Sequence, residues 1–326
     1  MSRAQFHWPT LPCTVAGVSR VLVLVFALLV TRGAHAQDLT PRAYLITPLH
    51  GNAITMSYSY FNGALDFNNV VPITDGSGEF SVPSVAYYHS FNFFGRSANF
   101  LAALPYGVGN FEGLVLGRQR NGYRSGLLDS VYRVSVNLKG GPAMELPEFM
   151  KWKQKTLLGV SLKVVAPTGQ YNPDLLINWG TNRWAFKPEF GYSRRFSEKW
   201  VLDAYAGAWF FTDNSQFFSV TPPPAVQSLS PIGSFEGHLS RNFTRNPLLW
   251  ASLDGNFWFG GQASNNNVPV NGTRQTASRI GGTGSFPLTK SQSIKVSFNS
   301  GAYVRFGGNY KNLSVGWQYA WFGHPK

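Results

Sequence analysis

The strongest constraint on this chain is its last stretch, residues 313–322. Leu313, Val315, Trp317, Tyr319 and Trp321 fall on one face, and Ser314, Gly316, Gln318 and Ala320 fall on the other. That is a period of two, the mark of a strand with one apolar face, because successive side chains of extended backbone point to opposite sides. The apolar face ends in three aromatics. Such rings gather where a strand reaches a membrane–water interface. An ordinary antiparallel strand at a chain end alternates in the same way, so the rest of the sequence has to decide.

Residues 1–36 read as a secretory leader. Arg3 and Arg20 precede a ten-residue apolar run from Val21 to Val30, and Ala34-His35-Ala36 is a small-x-small cleavage site. The run is half of the roughly 20 residues that a helix needs to cross a bilayer. We therefore expect cleavage after Ala36 and a mature chain of residues 37–326. Cys13 is the only cysteine. The mature chain then has neither disulfide nor thiolate chemistry.

Charged residues make up 13% of the chain and aromatics 15%, with 34 glycines. Average soluble chains are about 25% charged. No run of about 20 apolar residues follows the leader, which excludes transmembrane helices. A barrel in lipid shows only every second residue to hydrocarbon, so its hydropathy stays low; here the mean hydropathy is −0.12. The net charge is +13, and the leader accounts for three arginines and no acid. The remaining basic side chains are spread over many strands and loops, which does not read as nucleic-acid binding.

The same alternation recurs along the chain. Ile54, Met56, Tyr58 and Tyr60 oppose Thr55, Ser57 and Ser59, and a Gly/Asp/Asn-rich loop follows at 63–81. Residues 82–93 are extended, and Phe94-Gly95-Arg96-Ser97 is a tight turn before Ala98, Phe100, Ala102 and Leu104. Tyr132, Val134, Val136 and Leu138 oppose Asp129, Arg133, Ser135 and Asn137. A short amphipathic helix is expected within 144–155. Leu158, Val160, Leu162 and Val164 oppose Gly159, Ser161 and Lys163. Trp184, Phe186, Pro188, Phe190 and Tyr192 oppose Lys187, Glu189, Ser193 and Arg195. Leu202 and its alternates oppose Asp203, Tyr205 and Trp209, and a long loop then runs over 212–231. Phe235, Leu239 and Phe243 oppose Glu236, His238 and Ser240. Leu253 and Phe257 oppose Asp254 and Asn256. Ile280 and Phe286 oppose Arg279 and Thr283. Ile294, Val296, Phe298 and Val304 oppose Lys295, Ser297, Asn299 and Arg305.

This grammar predicts an all-β fold, a transmembrane antiparallel β-barrel of about twelve strands with short and long turns alternating. Residues 111–118 could add a thirteenth strand. A barrel with both ends on the periplasmic side needs an even number, so parity places 106–127 in a long extracellular loop. Residues 37–51 have no period. They belong either inside the barrel mouth or on the periplasmic side, and the first strand starts too early for a separate plug domain.

Two resemblances sharpen this picture. Ser314, Gly316, Tyr319 and Trp321 are similar in type and spacing to the C-terminal assembly signal of outer-membrane barrels. That implies recognition of the last strand by the barrel assembly machinery. The run Pro167-Thr168-Gly169-Gln170-Tyr171 with Thr181-Asn182-Arg183-Trp184, together with Pro41-Arg42-Ala43-Tyr44, Phe94-Gly95-Arg96-Ser97-Ala98-Asn99, Phe211-Thr212-Asp213-Asn214 and Arg305-Phe306-Gly307-Gly308, resembles an outer-membrane transporter family labelled "putative meta-pathway of phenol degradation". The resemblance covers essentially all of the chain after the leader. It implies a barrel in the outer membrane of a Gram-negative bacterium with a role in moving small, often aromatic or lipid-like compounds.

The polar face carries Arg133, Lys163, Lys187, Glu189, Arg195, Asp203, Glu236, Asp254, Arg279, Lys295 and Arg305. A Lys or Arg on the lipid face at the midplane would cost about 2–4 kcal/mol, so these side chains are expected to point inward. They either set the field along a solute path or form a cross-strand ladder that props the barrel; a ladder on one wall still leaves a polar channel. Cations exceed acids, which leans towards anionic solutes. Arg194 and Arg241 fall on the lipid face near strand ends, where long cationic side chains reach the headgroups. His238, Ser240 and Asn242 are similar to the Ser-His-Asn set of outer-membrane phospholipases, yet they are simply alternate residues of one strand. Real triads converge from separate elements. No group of residues has metal-ligand spacing, and no cofactor is implied. The expected function is passive uptake of small organic compounds, not catalysis. A lipase-type barrel enzyme and a plugged structural barrel are the alternatives.

Overall fold

The computed structural model describes residues 39–65, 73–219, 223–243 and 249–323. The leader and its expected cleavage point at Ala36 lie outside the described residues. The strands are β1 (Gly51–Ala64), β2 (Ile73–Phe93), β3 (Arg96–Val115), β4 (Arg118–Leu127) and β5 (Ser130–Lys139). A one-turn helix, α1 (Leu146–Phe149), follows. Then come β6 (Thr156–Ala166), β7 (Ala185–Arg195), β8 (Trp200–Phe211), β9 (Asn214–Phe217), β10 (Ala225–Leu229) and β11 (Ile232–Asn242). The chain ends with β12 (Trp250–Gly260), β13 (Ala263–Asn265), β14 (Val268–Pro269), β15 (Gln275–Pro287), β16 (Gln292–Val304) and β17 (Asn309–Phe322).

Twelve of these strands close into one antiparallel ring, in the order β1, β2, β3, β5, β6, β7, β8, β11, β12, β15, β16 and β17. The last strand pairs back onto the first, from Gly51↔Phe322 to Ala64↔Asn309. Closure satisfies backbone groups that an open edge would leave unpaired in lipid, at several kcal/mol each. The period-two faces map directly onto the wall. Leu253 is 69% exposed on the outside, while Asp254, one residue on, is 3% exposed on the inside. Trp317, Tyr319 and Trp321 stack in a column on the outer face, with ring centroids 6.4 and 5.7 Å apart.

Three expectations are corrected. First, 106–127 is not an irregular loop. Strand β3 continues to Val115 and turns at Leu116-Gly117 into β4. The count of twelve survives because β3 is shared: its first part, Ala98–Ala103, pairs with β5, and its outer part, from Tyr106, pairs with β4. Strands β4 and β5 thus occupy one position in the ring, stacked end to end. Second, β2 begins at Ile73, so much of the loop expected at 63–81 is strand, raised beside the β3–β4 ribbon. Third, Val304 does not share the outer face of Ile294 and Val296. The register between β15 and β16 jumps from Arg279↔Gly301 to Ser278↔Tyr303. The extra residue, Ala302, is a bulge that swaps the faces beyond it. Val304 consequently packs inward with Ile232, Trp258 and Ala277.

The two long outer loops build a second sheet of β9, β10, β13 and β14. Its β13–β14 turn uses Asn266 and Asn267 at φ 49° and 65°, a left-handed conformation that asparagine tolerates better than most residues. The helix expected within 144–155 is only the four residues of α1.

Candidate functional site: the barrel interior

Residues 39–50 enter the barrel from the end where β1 starts and β17 finishes. They pack against the wall made by β5 to β12. Tyr44 and Ile46 are each 1% exposed. The Arg42 amide donates to Asp203 Oδ2 (3.3 Å) and its Nη2 to Asn242 Oδ1 (2.7 Å). The Ala43 amide donates to the Tyr205 hydroxyl (3.0 Å), and Arg133 Nη1 donates to the Ala43 carbonyl (3.3 Å). The Tyr44 hydroxyl donates to Glu189 Oε1 (3.0 Å) and meets Ser161 Oγ at 2.9 Å. Burial, and then the Glu189 carboxylate, push the Tyr44 phenol above its ordinary range, so it keeps its proton and remains a donor. Arg133 lies 4.8 Å over the Tyr44 ring and Arg42 lies 4.3 Å over Trp250. Further down, Thr47 Oγ1 bonds the Tyr88 hydroxyl at 2.7 Å. Six strands of the wall (β5, β6, β7, β8, β11 and β12) and β2 therefore hold this segment.

Six of the candidate charges come together behind it. Lys187 Nζ sits 2.6 Å from Glu189 Oε2 and 2.8 Å from Glu236 Oε1. Arg133 Nη2 is 3.9 Å from Glu189. His238 has Asp254 Oδ1 at 2.9 Å from Nδ1 and Glu236 Oε2 at 3.7 Å from Nε2. Thr283 Oγ1 completes Asp254 at 2.7 Å. The result is a ladder across β5, β7, β11, β12 and β15. Asp203, fully buried, joins the inner segment beside it.

Of the other candidates, Lys163 adjoins this ladder, opposite Arg133 of β5 and Lys187 of β7 in register. Lys163 and Lys187 approach Trp209 at 5.9 and 5.8 Å. Arg195, at the end of β7, donates to the Glu198 carbonyl in the β7–β8 turn (3.0 Å). Arg279, 2% exposed, reaches the Tyr310 carbonyl (3.2 Å) at the outer end. Lys295 is on the inner face but exposed to the lumen. Arg305 is a correction: it stands beyond β16, exposed in the turn to β17, because the bulge and the strand end come first.

The interior is lopsided. On β6 to β12 nearly all inner side chains are buried, among them Leu157, Ser193, Val201, Tyr205, Ser234, His238, Ser240 and Ser252. On β1, β2, β3, β16 and β17 the inner positions Thr55, Ser57, Ser59, Ser84, Ala86, Ala103, Ser297 and Gln318 are only partly covered. That second wall is small and uncharged apart from Lys295. These positions keep partial exposure to solvent beside the inner segment.

At the outer end, residues far apart in sequence fasten the β6–β7 loop. Asp129 Oδ1 accepts from the Gly169 amide (2.9 Å); Oδ2 accepts from the Thr181 amide (2.9 Å) and hydroxyl (2.6 Å). Gly169 and Gly180 touch backbone to backbone; a Cβ on Gly169 would lie 2.7 Å from the Gly180 Cα. Asn182 and Tyr171 both bond Asn214, each at 2.9 Å. Arg183 donates to Gln227 Oε1 (3.1 Å), and burial draws its guanidinium below the usual range. Strand periodicity does not reach Arg42, Tyr44 or this clasp; Pro41-Arg42-Ala43-Tyr44 and the clasp's Gly169, Tyr171, Thr181, Asn182, Arg183 and Asn214 fall instead in the stretches that carry the family resemblance.

The family model described as "Putative MetA-pathway of phenol degradation" matches residues 62–321. No curated protein matches the chain. Among solved structures, an outer membrane channel from Pseudomonas putida F1 is similar, with 16% identity, a TM-score of 0.70, and coverage of 87% of this chain and 100% of that one. The beta domain of the Bordetella autotransporter BrkA shows 13% identity and a TM-score of 0.48, covering 83% of this chain and 100% of its own.

Proposed function

This chain belongs to the putative MetA-pathway of phenol degradation family, and on that premise we propose that it is a passive outer-membrane channel for small organic molecules. The observation that carries the reading is the lopsided interior. One wall is dry, charged and filled by residues 39–50; the other is a lane of small side chains reached by solvent, from Thr55 past Ser57, Ser59 and Ser84. Small uncharged linings pass apolar and aromatic bodies without stripping a charged shell. The family's description, a pathway of phenol degradation, and the similar outer membrane channel support the same class.

The protein works in the outer membrane with lipid around its apolar outer face. The assembly machinery acts on its last strand at Ser314, Gly316, Tyr319 and Trp321. It is not an enzyme. His238 is tied to Asp254 and faces Glu236, while Asn242 is taken up by Arg42. The Arg42–Asn242 bond serves to hold the inner segment, and His238 is part of the charged ladder.

The purified protein in liposomes should admit small aromatic solutes faster than protein-free vesicles do. Absence of flux for every such solute would favour the plugged structural barrel.

A further inference from the structure

Strand β4 carries Arg118, Arg120 and Arg124, with Gly122 at the rung between. Alternate residues of a strand share a face. The register pairs them with Val115, Gly113 and Gly109 of β3, the same side as Phe111, which is 5% exposed. That is the inner side: Arg124 Nε donates to the carbonyl of Ile177 (3.3 Å), in the β6–β7 loop. Glu79 and Glu112 of this raised ribbon sit on the opposite, outer face, where Glu79 accepts from Tyr60 (2.7 Å), and its third acid, Asp75, lies at the bulge of β2. None of the three arginines makes an ion pair among the described residues.

Beside the cations lies a group of rings. One row of the sheet reads Phe61↔Phe80↔Gly109↔Arg124 across β1 to β4. Phe61 and Phe80 stack at 4.8 Å, and Trp179 lies 5.7 Å from both Phe80 and Phe111. Gly109 and Gly107 make this possible. A Cβ on Gly109 would come 2.2 Å from that of Phe80, and one on Gly107 would meet the Trp179 ring at 2.5 Å. No side chain therefore separates the rings from Arg124 along that row.

We propose that this inner face captures organic anions with an apolar or aromatic body, the carboxylate on the arginines and the body against the rings. The inference rests on the channel reading and narrows its solute class. Guanidinium forks match carboxylates in geometry, and stacked guanidinia without counter-ions repel one another until an anion arrives. Lipopolysaccharide phosphates would meet the outer face instead, where Glu79 and Glu112 repel them.

The test measures liposome uptake of benzoate and of its neutral analogue benzamide, for wild type and R118Q/R120Q/R124Q. At low salt the variant should lose roughly tenfold in benzoate uptake, with benzamide unchanged, and added salt should erase the wild-type preference. R118Q/R120Q spares Arg124 and its loop contact, and should show the same selective fall if the triple variant folds poorly. Equal losses for both solutes, an unchanged benzoate rate, or an effect only on lipopolysaccharide retention would overturn the proposal. A wild-type protein that moves neither solute defeats the channel reading itself; one that moves both alike, with the variants indistinguishable from it, defeats only the capture site.

Discussion

The Tyr44 ring lies where a side chain on Gly191 would have to be: a Cβ there would come within 2.2 Å of the ring. Gly159, paired with Gly191 across β6 and β7, leaves the other half of the socket, with a Cβ approach of 2.5 Å. Two glycines facing each other inside the wall thus set the seat of the inner segment. Gly191→Ala should unseat Tyr44 and raise single-channel conductance, and Tyr44→Ala should do the same. Gly237→Ala, where nothing lies within 4 Å, is the matched control and should leave conductance alone. Equal conductance in all four proteins would mean that the ring does not restrict the lumen.

Lys187 is 4% exposed and stands between Glu189 and Glu236, each 9% exposed. Removing one member of a buried ionic group leaves the rest uncompensated, typically at about 3–5 kcal/mol. Lys187→Met should therefore lower the midpoint of urea unfolding in detergent strongly. The triple change K187M/E189Q/E236Q, which removes the orphaned charges as well, should recover most of the loss. A triple variant as weak as the single one would show that packing, not charge balance, governs this wall.

The wall was legible because lipid and lumen impose the same two-residue period that a strand already has. Leu253 beside Asp254 and Val160 beside Ser161 could be assigned from pattern alone. Strand period cannot place residues 39–50, since their shape comes from contacts far off in sequence, such as Arg42 with Asn242, 200 positions away. Parity applied to whole strands makes the outer ribbon a loop. The physical constraint counts positions in the ring, and β4 and β5 share one. Ala302 shows the other limit: a single bulged residue reverses every face beyond it, and nothing in its side chain announces this.

Asp129 is 6% exposed and receives three hydrogen bonds from the β6–β7 loop. Bonds to a charged acceptor are each worth about 1.5–3 kcal/mol. Asp129→Ala should release that loop without opening the ring. Amide exchange over 168–183 should accelerate at least tenfold while β6 and β7 stay protected. Asp129→Asn, which keeps an acceptor, should show a smaller effect. Unchanged exchange in D129A would mean that the Gly169–Gly180 contact suffices to hold the loop.

Adjacent positions on β16 test the two faces directly. Val296 points to lipid and Ser297 to the lumen, opposite Val315 and Ser314 of β17. A lysine at the lipid face costs about 2–4 kcal/mol at the midplane, and far less when it points inward. Val296→Lys should reduce the yield of folded, heat-modifiable barrel in vesicles, whereas Ser297→Lys should fold normally. Similar yields for the two variants would contradict the assignment of faces.

Gly316 separates assembly from stability. In the closed barrel a Cβ at this position would meet Ser57 Cβ at 3.4 Å and Thr55 Cγ2 at 3.7 Å, contacts of ordinary van der Waals length. The finished wall therefore has room for alanine, unlike the seats of Gly109 or Gly191. If the glycine serves recognition of the last strand before closure, Gly316→Ala should slow insertion in cells while leaving unfolding of the purified barrel within about 0.5 kcal/mol of wild type, because the added methyl, though buried, meets only ordinary contacts and creates neither strain nor a cavity. Pulse-labelled insertion and equilibrium unfolding, measured on the same variant, separate the two effects. A variant that inserts at the wild-type rate would remove Gly316 from the assembly signal and leave that role to Ser314, Tyr319 and Trp321.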